Sequence, residues 1–493
     1  MAATGSRARG RWAAPVDVAA LGAAALALAA CAEAPAPERA AAAPECARRA
    51  GAPDREPDSI LLLLLGSARY SHLSASGYPR ATTPFLASLA RRGLWFPNAH
   101  GASSSPLAAL ASLLSGLPPG AHGLADAAQG GSARSQLPSL AACLQQAGYR
   151  TLALGNDPAL ASDALARGFD ERVVDPDFSA AGMLDELSRW LATARPGPRA
   201  ARDAREPFFA LLHLADARLP YLPRYEYYRA FERRRDAGLA PESYLTEARA
   251  AGASALALVQ QRARVPQEQT DLLTDLYDAE LRQLDDALAR LPQLLQQRGA
   301  AARTLIALSA DHGERLLEKG DLGHGGALDF RTLHVPLVLL GPGIPRGRRD
   351  PRLARSLDLF PTLVARAGLA PPAGLPGRDL LADPGGPPDP GREAPRGPGA
   401  PAARGGAAPE SAFARSGREE MVRAGSFAYY RRADGSAELY DLARDPQERH
   451  DLASRRPVHV RWLEAELARW RALELQLAAA TELAAAPPAE ALP

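Results

Sequence analysis

Lysine is almost absent from this sequence of 493 residues, in which Lys319 is the only one. Arginine supplies the rest of the 58 basic residues, and 56 acidic residues leave a formal net charge of +2. A dedicated nucleic-acid-binding protein normally carries a concentrated basic excess, so this balance argues against nucleic acid as a partner. Any chemistry that needs a lysine side chain must use Lys319.

Cysteine is also scarce, with three residues in the whole chain. Three are too few for a disulfide framework, and their spacing matches no thiolate zinc site. Cys143 lies on the apolar face of a predicted helix and is expected to pack in the core. Cys46 lies in a stretch rich in Pro and Ala, and we expect it to be unpaired.

Long apolar runs are limited to one stretch near the N-terminus, from Val18 to Ala30, which is too short to span a bilayer comfortably. Three arginines precede it, and it ends in Leu28-Ala29-Ala30-Cys31, which resembles a bacterial lipobox. A lipobox needs small residues before a cysteine that is diacylated and becomes the new N-terminus. We therefore expect residues 1–31 to be a signal peptide with Cys31 as the lipid anchor. The alternative is an apolar leader followed by a chance cysteine.

A lipid anchor would hold the protein on a membrane of the bacterial cell envelope, facing the periplasm or the exterior. Residues 32–58 are rich in Pro, Ala and Glu and are predicted to be a disordered tether. Residues 383–411 are rich in Gly, Pro, Ala and Arg and are predicted to be a disordered insertion. The same composition argument makes 476–493 a disordered tail.

Between these segments, short apolar runs alternate with amphipathic helices. Ile60–Leu65 is six apolar residues in a row, typical of a strand that is buried on both faces. Thr270–Leu291 is the strongest helix, with leucines along one stripe, and Pro292 should end or kink it. The alternation predicts an α/β fold over 59–382, with a mixed, mainly parallel sheet sandwiched by helices.

A smaller β-rich subdomain is predicted over 412–475. Phe427–Arg432 and Glu438–Leu442 flank Asp434-Gly435, a strong hairpin signal. An amphipathic helix is expected to follow around His459–Leu475.

Several ordered motifs then point to one family. The most specific block is Ser309-Ala310-Asp311-His312-Gly313-Glu314, followed by Gly323-His324-Gly325 and Val335-Pro336-Leu337. Upstream lies Ser112-Leu113-Leu114-Ser115-Gly116-Leu117-Pro118, and downstream Glu438-Leu439-Tyr440-Asp441-Leu442. Over about 59–475 the sequence resembles the sulfatase family of the alkaline phosphatase superfamily.

The resemblance implies a hydrolase of sulfate, phosphate or phosphonate esters, acting on a sulfated or phosphorylated small molecule or glycan. In that family a divalent hard cation, usually Ca²⁺ or Mg²⁺, is held by carboxylates at two strand ends. It activates a nucleophile, which is a threonine in some relatives and otherwise a formylglycine made from cysteine or serine.

The sequence departs from this pattern at the first metal segment and at the nucleophile. Gly66 and Ser67 stand where the family has aspartate ligands, and Pro106 falls on the nucleophile. No cysteine is near, so formylglycine is not expected. Ser104, Ser105 and Ser67 are the remaining nucleophile candidates, none of them certain, and a polar loop is the plainer interpretation of the first two.

The second half of the site is better kept. Asp311 and His312 fall on the family's second metal pair, although with one certain charge Ca²⁺ or Mg²⁺ should bind weakly at best. The candidate substrate-binding residues are His324, His213, Arg218 and Lys319. Structural histidines and a solvated arginine are the plainer alternatives for His324, His213 and Arg218.

Three functions remain open. The first is an inactive sulfatase-like lipoprotein that retains anion binding. The second is an active metal-dependent hydrolase with a displaced serine nucleophile, and the third is a structural or partner-binding lipoprotein. Loss of both the nucleophile and the first carboxylates favours the first.

Overall fold

The computed structural model of the protein describes residues 46–49, 59–125, 133–134, 137–193, 206–233, 239–382 and 411–485. The predicted signal peptide with Cys31, most of the predicted tether and nearly all of the predicted insertion lie outside these residues. Within the described ranges, no helix has the length and apolar character needed to cross a membrane.

The strands are short apart from those at the centre of the main sheet and in the C-terminal subdomain. They are β1 (Ala47–Arg48), β2 (Ser59–Leu65), β3 (Leu94–Trp95), β4 (Ala99–His100), β5 (Arg150–Gly155), β6 (Glu171–Val174), β7 (Phe208–Leu214), β8 (Thr304–Ser309), β9 (Arg315–Leu316), β10 (Leu322–Gly323), β11 (His334–Val335), β12 (Leu337–Leu340), β13 (Arg348–Arg349), β14 (Ala354–Arg355), β15 (Leu369–Ala370), β16 (Ser411–Ser416), β17 (Glu419–Ala424), β18 (Phe427–Arg431) and β19 (Ala437–Asp441).

The helices lie mostly between consecutive strands of the main sheet. They are α1 (Pro84–Arg92), α2 (Pro106–Ser115), α3 (Pro119–His122), α4 (Leu140–Gln146), α5 (Ala180–Ala192), α6 (Tyr225–Phe231), α7 (Tyr244–Gln260), α8 (Gln267–Leu288), α9 (Leu291–Gln297), α10 (Phe330–Leu333), α11 (Leu359–Arg366) and α12 (Pro457–Ala485).

The main sheet has eight strands in the order β13-β3-β12-β8-β2-β7-β5-β6. Strands β8, β2, β7, β5 and β6 run parallel, whereas β12 is antiparallel to β8. Every residue of β2 is buried, which is why its sequence is an unbroken apolar run. The predicted mixed, mainly parallel α/β fold is confirmed.

The long helix predicted over Thr270–Leu291 is present as α8, which packs its leucines into the core. The expected break also occurs, because a new helix, α9, starts at Leu291 and has Pro292 in its first turn. Proline is tolerated there since the first helical N–H groups have no intrahelical partner.

The C-terminal subdomain is a four-stranded antiparallel sheet, β16-β17-β18-β19, covered by α12. The hairpin predicted around Asp434-Gly435 is the β18–β19 connection. The helix predicted to end near Leu475 is longer than expected and continues to Ala485. Packing stabilises the extra turns, because Leu477 joins a hydrophobic cluster with Leu117 and Ala121. The prediction of a disordered tail that begins at residue 476 was therefore wrong for the residues up to Ala485.

The expectation that Cys46 is unpaired was wrong. Cys46 forms a disulfide with Cys143 on α4, with 5.2 Å between the two Cα atoms. The next two residues, β1, pair with β15, so residues 46–49 are ordered rather than part of a disordered tether. A sequence separation of 97 residues hid the pairing, since only the tertiary fold brings the two cysteines together.

Candidate functional site

Three adjacent parallel strands end at the same edge of the main sheet, called here the carboxyl edge. Strand β2 leads into Gly66 and Ser67, β7 carries His213 near its end, and β8 leads into Asp311 and His312. Side chains that follow neighbouring parallel strands meet at such an edge. The fold therefore brings together the two halves of the site that the sequence separates by more than 200 residues.

Both oxygens of Asp311 accept hydrogen bonds from protein groups, and His312 Nε2 lies 3.6 Å from Oδ2. His213 Nε2–H donates to its Oδ2 at 2.8 Å, while the backbone N–H groups of His312 and Ser67 donate to Oδ1 at 2.7 and 3.3 Å. Burial alone would raise the pKa of Asp311, but the charge of His312 and the hydrogen bond and charge of His213 outweigh it and lower the pKa. Asp311 is thus an ionised carboxylate whose oxygens already have partners.

His213 is the buried counter-ion of Asp311. Burial would lower the pKa of His213, but the hydrogen bond and charge of Asp311 reverse this and raise it. The other ring nitrogen, Nδ1, is buried and has no hydrogen-bond partner among the described residues. His213, predicted from the sequence as a substrate-binding residue, lies at the carboxyl edge, and its side-chain contact is with Asp311.

Gly66 occupies the first of the two positions where the family pattern has an aspartate ligand, and the space for a side chain there is closed. A Cβ atom added to Gly66 would lie 2.7 Å from the Cβ and 2.8 Å from the Cα of Ala215, and 3.4 Å from His213 Nε2. The Gly66 N–H also donates to the Leu214 carbonyl oxygen at 2.8 Å, which fixes the backbone beside β7. The missing carboxylate is thus replaced by tight packing rather than by an open cavity.

His312, Glu314 and His324 form a cluster at this edge. Each offers one ligand atom, and these atoms lie within 4.8 Å of one another. The rings of His312 and His324 are 4.4 Å apart, and His312 Nε2 is buried without a hydrogen-bond partner among the described residues. Two imidazoles and one carboxylate suit borderline ions such as Zn²⁺ better than hard cations.

Glu314 was not singled out from the sequence as a site residue, although it stands inside the most specific motif. It is completely buried, accepts a hydrogen bond from the Tyr221 hydroxyl at 2.8 Å, and pairs with His324 Nδ1 at 2.7 Å. The sequence signal for Glu314 as a site residue was its position two residues after His312. In an extended segment, side chains two residues apart point to the same side.

The neighbours of His324 favour its charged form. Burial would lower the pKa of His324, but the hydrogen bond and charge of Glu314, with the charges of Asp311 and Asp157, raise it. Part of the ring remains accessible, with a side-chain exposure of 17%. A protonated, partly exposed imidazole is a suitable contact for an anion.

Ser67 contacts His324, but the geometry does not activate it. Its Oγ lies 3.3 Å from His324 Nδ1, the same nitrogen that donates to Glu314. A relay needs the serine and the carboxylate on opposite ring nitrogens, so His324 cannot accept the Ser67 proton in this arrangement. Ser67 also has a φ of +60°, a strained conformation for a residue with a Cβ.

Ser104 and Ser105 precede α2, whose first residue is Pro106. Ser104 is buried, its Oγ has no hydrogen-bond partner among the described residues, and its carbonyl oxygen accepts from the Gly325 N–H at 2.8 Å. The backbone of Ser104 therefore lies next to Gly325, the residue that follows His324. Ser105 is the residue before the helix, and its side chain makes no capping hydrogen bond. Of the three serine candidates, Ser104 has the environment most unlike a surface loop.

Arg218 borders the site through an ion pair. Its Nη1 donates to Asp157 Oδ2 at 2.7 Å, and the charge of Asp157 reaches both His213 and His324. Asp216, two residues earlier, instead accepts from the Ala180 N–H at 3.1 Å and from Asn156 Nδ2 at 3.2 Å. Asp216 therefore does not supply the carboxylate that Gly66 lacks.

Lys319 is turned toward the C-terminal subdomain. Its Nζ pairs with Glu448 at 3.2 Å and lies 4.6 Å from the centre of the Tyr440 ring. Glu448 also accepts from the Phe330 N–H at 3.3 Å. The only lysine thus joins the two subdomains, and its contacts are not with the cluster that contains His324.

These contacts decide which cations the residues fit. A Ca²⁺ or Mg²⁺ site needs several free anionic oxygens, but Gly66 has no side chain and the Asp311 oxygens are held by His213 and backbone N–H groups. The described residues therefore do not fit the hard cation of the family. The His312–Glu314–His324 cluster has the donor types of a different class of ion.

Comparison with known proteins identifies relatives of the chain. A profile of the Sulfatase family matches residues 58–369. Arylsulfatase K of Mus musculus is 27% identical over 184 residues, which are 37% of this chain and 32% of that protein. The alignment thus spans about a third of the length of this curated relative.

Solved structures share the fold. The phosphonate monoester hydrolase of Agrobacterium radiobacter superposes with a TM-score of 0.64 at 22% identity, covering 85% of this chain and 96% of that chain. An enzyme solved with its substrate D-glucosamine-2-N,6-O-disulfate gives a TM-score of 0.59 at 17% identity, covering 87% of this chain and 98% of that one. At these identities the likeness establishes the fold.

Proposed function

The chain belongs to the sulfatase family, and from this premise we propose that it is a lipid-anchored member that has lost ester hydrolysis and retains an anion-binding site. Its relatives hydrolyse sulfate or phosphonate esters, and their chemistry depends on a divalent cation and an activated nucleophile. In this chain Gly66 and Ser67 stand at the first metal segment and Pro106 at the nucleophile position, whereas Asp311 and His312 keep the second metal pair.

The closed position at Gly66 carries the proposal. A glycine in open space would leave room for water or a ligand to complete a metal site, but Ala215 fills the space that a carboxylate would need. Asp311 then serves as the buried partner of His213. Because sulfuryl and phosphoryl transfer of this kind relies on the cation to stabilise charge, its loss removes the main source of catalysis.

The ligand we propose is a sulfated or phosphorylated small molecule or glycan. The support comes from His324, which is partly exposed and has a raised pKa, and from the Arg218 guanidinium at the border of the site. One solved structure that shares the fold contains its substrate, D-glucosamine-2-N,6-O-disulfate, and this substrate belongs to the class of sulfated ligands proposed here.

The location we propose is the bacterial cell envelope, with Cys31 as the lipid anchor. The disulfide between Cys46 and Cys143 supports an oxidising compartment, since such bonds persist outside the cytosol. The lipobox-like tetrapeptide Leu28-Ala29-Ala30-Cys31 supports acylation.

The proposal is tested by turnover and metal content together. The full chain is assayed with an aryl sulfate, a phosphate diester and a phosphonate monoester, each with Ca²⁺, Mg²⁺, Mn²⁺ or Zn²⁺. The Agrobacterium radiobacter hydrolase is the positive control. We expect no turnover above that of the Asp311→Ala variant, while sulfate binding weakens at least tenfold in His324→Ala. Turnover that Asp311→Ala abolishes would overturn the proposal.

A second candidate function is an active hydrolase with a displaced nucleophile, and Ser104 favours it. Its buried hydroxyl has no partner among the described residues, and its backbone carbonyl oxygen accepts from the N–H of Gly325, the residue after His324. The clean test is Ser104→Ala, with Ser105→Ala as the matched control. Metal-dependent turnover lost in the first variant and kept in the second would establish this function.

A further inference from the structure

The edge of the main sheet opposite the site is strongly basic. This amino edge is formed by the first residues of β2, β5, β7 and β8, together with the last residue of antiparallel β12. A cavity of about 750 Å³ opens there and is lined by Arg91, Arg92 and Arg346. Arg348, at the start of β13, is exposed beside it.

Arg91, Arg92, Arg346 and Arg348 are all exposed, and none has a carboxylate within ion-pair distance among the described residues. One carboxylate lies near Arg348, whose charge is among those that lower the pKa of Asp350. Most other arginines of the fold are paired, as Arg352 is with Asp350 at 2.6 Å. Because the whole chain has a net charge of only +2, the positive potential at this edge is a local concentration.

The N-terminal segment enters the fold at the same edge. The Arg49 N–H donates to the Gly368 carbonyl oxygen at 3.0 Å, two residues after Arg366. Arg366 Nη2 in turn donates to the Pro342 carbonyl oxygen at 2.8 Å, and Pro342 lines the cavity. Arg48 and Arg49 are exposed and add positive charge, and Asp379 is the acidic group near Arg49 and Arg366.

We infer that the amino edge docks on an anionic phospholipid surface, with the cavity between Arg91, Arg92 and Arg346 receiving phosphate headgroups. This inference rests on the lipid anchor proposed at Cys31, which would place that surface next to the edge. Fourteen residues separate Cys31 from Cys46. Such a segment reaches at most about 50 Å, so an anchor at Cys31 would keep Cys46, where the described chain begins, within that distance of the bilayer.

Docking at the amino edge has a consequence for the site. Gly66, Ser67 and Asp311 lie at the opposite, carboxyl edge of the same strands. The bound protein therefore presents His324 and Arg218 away from the bilayer. A soluble or glycan-borne anion reaches the site without competing with the headgroups.

The experiment uses the chain from Ala32 onward, which lacks both the acyl group of Cys31 and the apolar, arginine-containing leader of residues 1–31. Sedimentation with vesicles of equal parts phosphatidylcholine and phosphatidylglycerol is compared with phosphatidylcholine alone, at about 0.1 M and about 1 M salt, where the screening lengths are about 10 and 3 Å. We expect binding to the anionic vesicles at the lower salt, and loss of that binding at the higher salt or with neutral vesicles.

The arginines are tested by two matched triple variants. Each basic residue near an anionic surface contributes about fivefold to the partition coefficient, so Arg91→Gln/Arg92→Gln/Arg346→Gln should lose about 100-fold. The control is Arg449→Gln/Arg455→Gln/Arg456→Gln, which removes the same charge from exposed positions of the C-terminal subdomain. Thermal unfolding of both variants checks that the fold is kept.

Equal binding of the two triple variants, or equal binding to neutral vesicles, would overturn the inference. So would retention on heparin through Arg91, Arg92 and Arg346 without vesicle binding, which would make this edge a surface for anionic glycans. Acylation of the wild-type chain is followed separately by palmitate labelling. The anchor and the docking surface can therefore fail independently.

Discussion

Replacing Gly66 by alanine should destabilise the protein, and this tests how the family's metal position was closed. The new Cβ would lie 2.7 and 2.8 Å from two carbon atoms of Ala215, well inside van der Waals contact. Both atoms belong to the residue directly after β7, so no flexible side chain can move aside. Overpacking of this kind costs about 3 kcal/mol, at the upper end of its usual range.

The matched control is Gly182→Ala in α5. A Cβ on Gly182 would meet only Ser179 Oγ at 3.6 Å, an ordinary contact. Alanine in a helix is favoured over glycine by about 0.5–1 kcal/mol, so this variant should be as stable as the parent or slightly more stable. Urea unfolding of both variants measures the difference in free energy.

A third variant separates the contact with Ala215 from other effects. In Gly66→Ala/Ala215→Gly the 2.7 Å contact disappears and the 2.8 Å contact with the Cα remains, so the loss should be partly recovered. If Gly66→Ala is as stable as Gly182→Ala, the space beside Gly66 is open. A carboxylate or a metal could then be accommodated, and the reasoning would be refuted.

Three further predictions concern stability. His213→Ala leaves the Asp311 charge buried without its partner and should lower the free energy of unfolding, measured with urea, by about 3–5 kcal/mol. Loss of an exposed ion pair, such as that of Arg290 with Asp185, should lower it by less than about 1 kcal/mol. Cys46→Ala removes a cross-link that closes a sequence separation of 97 residues and should cost about 2–5 kcal/mol, and a reducing agent should destabilise the parent but not this variant. Burial lowers the pKa of His100, His122 and His334 to about 3 each. Below about pH 6.5 the unfolded state therefore binds protons that the folded state does not, and stability should fall by up to about 1.4 kcal/mol per pH unit for each of these histidines. His122→Gln should reduce the slope of the unfolding free energy against pH by up to that amount, and an unchanged slope would contradict this.

Much of the fold was predictable because its signals are local. The apolar run of β2 reflects burial of every residue of that strand, and the leucine stripe of α8 reflects burial of one face of that helix. The hairpin at Asp434-Gly435 follows from turn chemistry that involves two residues. These signals do not depend on knowing which elements are neighbours.

The rest depends on neighbours that are distant in sequence. The disulfide of Cys46 needs α4 beside β1, and the last turns of α12 need the cluster with Leu117. At the site, the motifs identified Asp311, His312 and His324, but not that Lys319 turns toward Glu448 or that Glu314 holds His324. A side chain's direction is set by packing that no local pattern encodes.

The most direct test of the closed metal site is a calorimetric titration of Ca²⁺ into the full chain, with Asp311→Asn titrated in parallel. Gly66 offers no ligand and the oxygens of Asp311 already have partners, so we expect no saturable binding up to about 1 mM, the weak end of the range for protein calcium sites. Saturable binding by the parent that disappears in Asp311→Asn would contradict this account, because it would show that the family's cation site still forms.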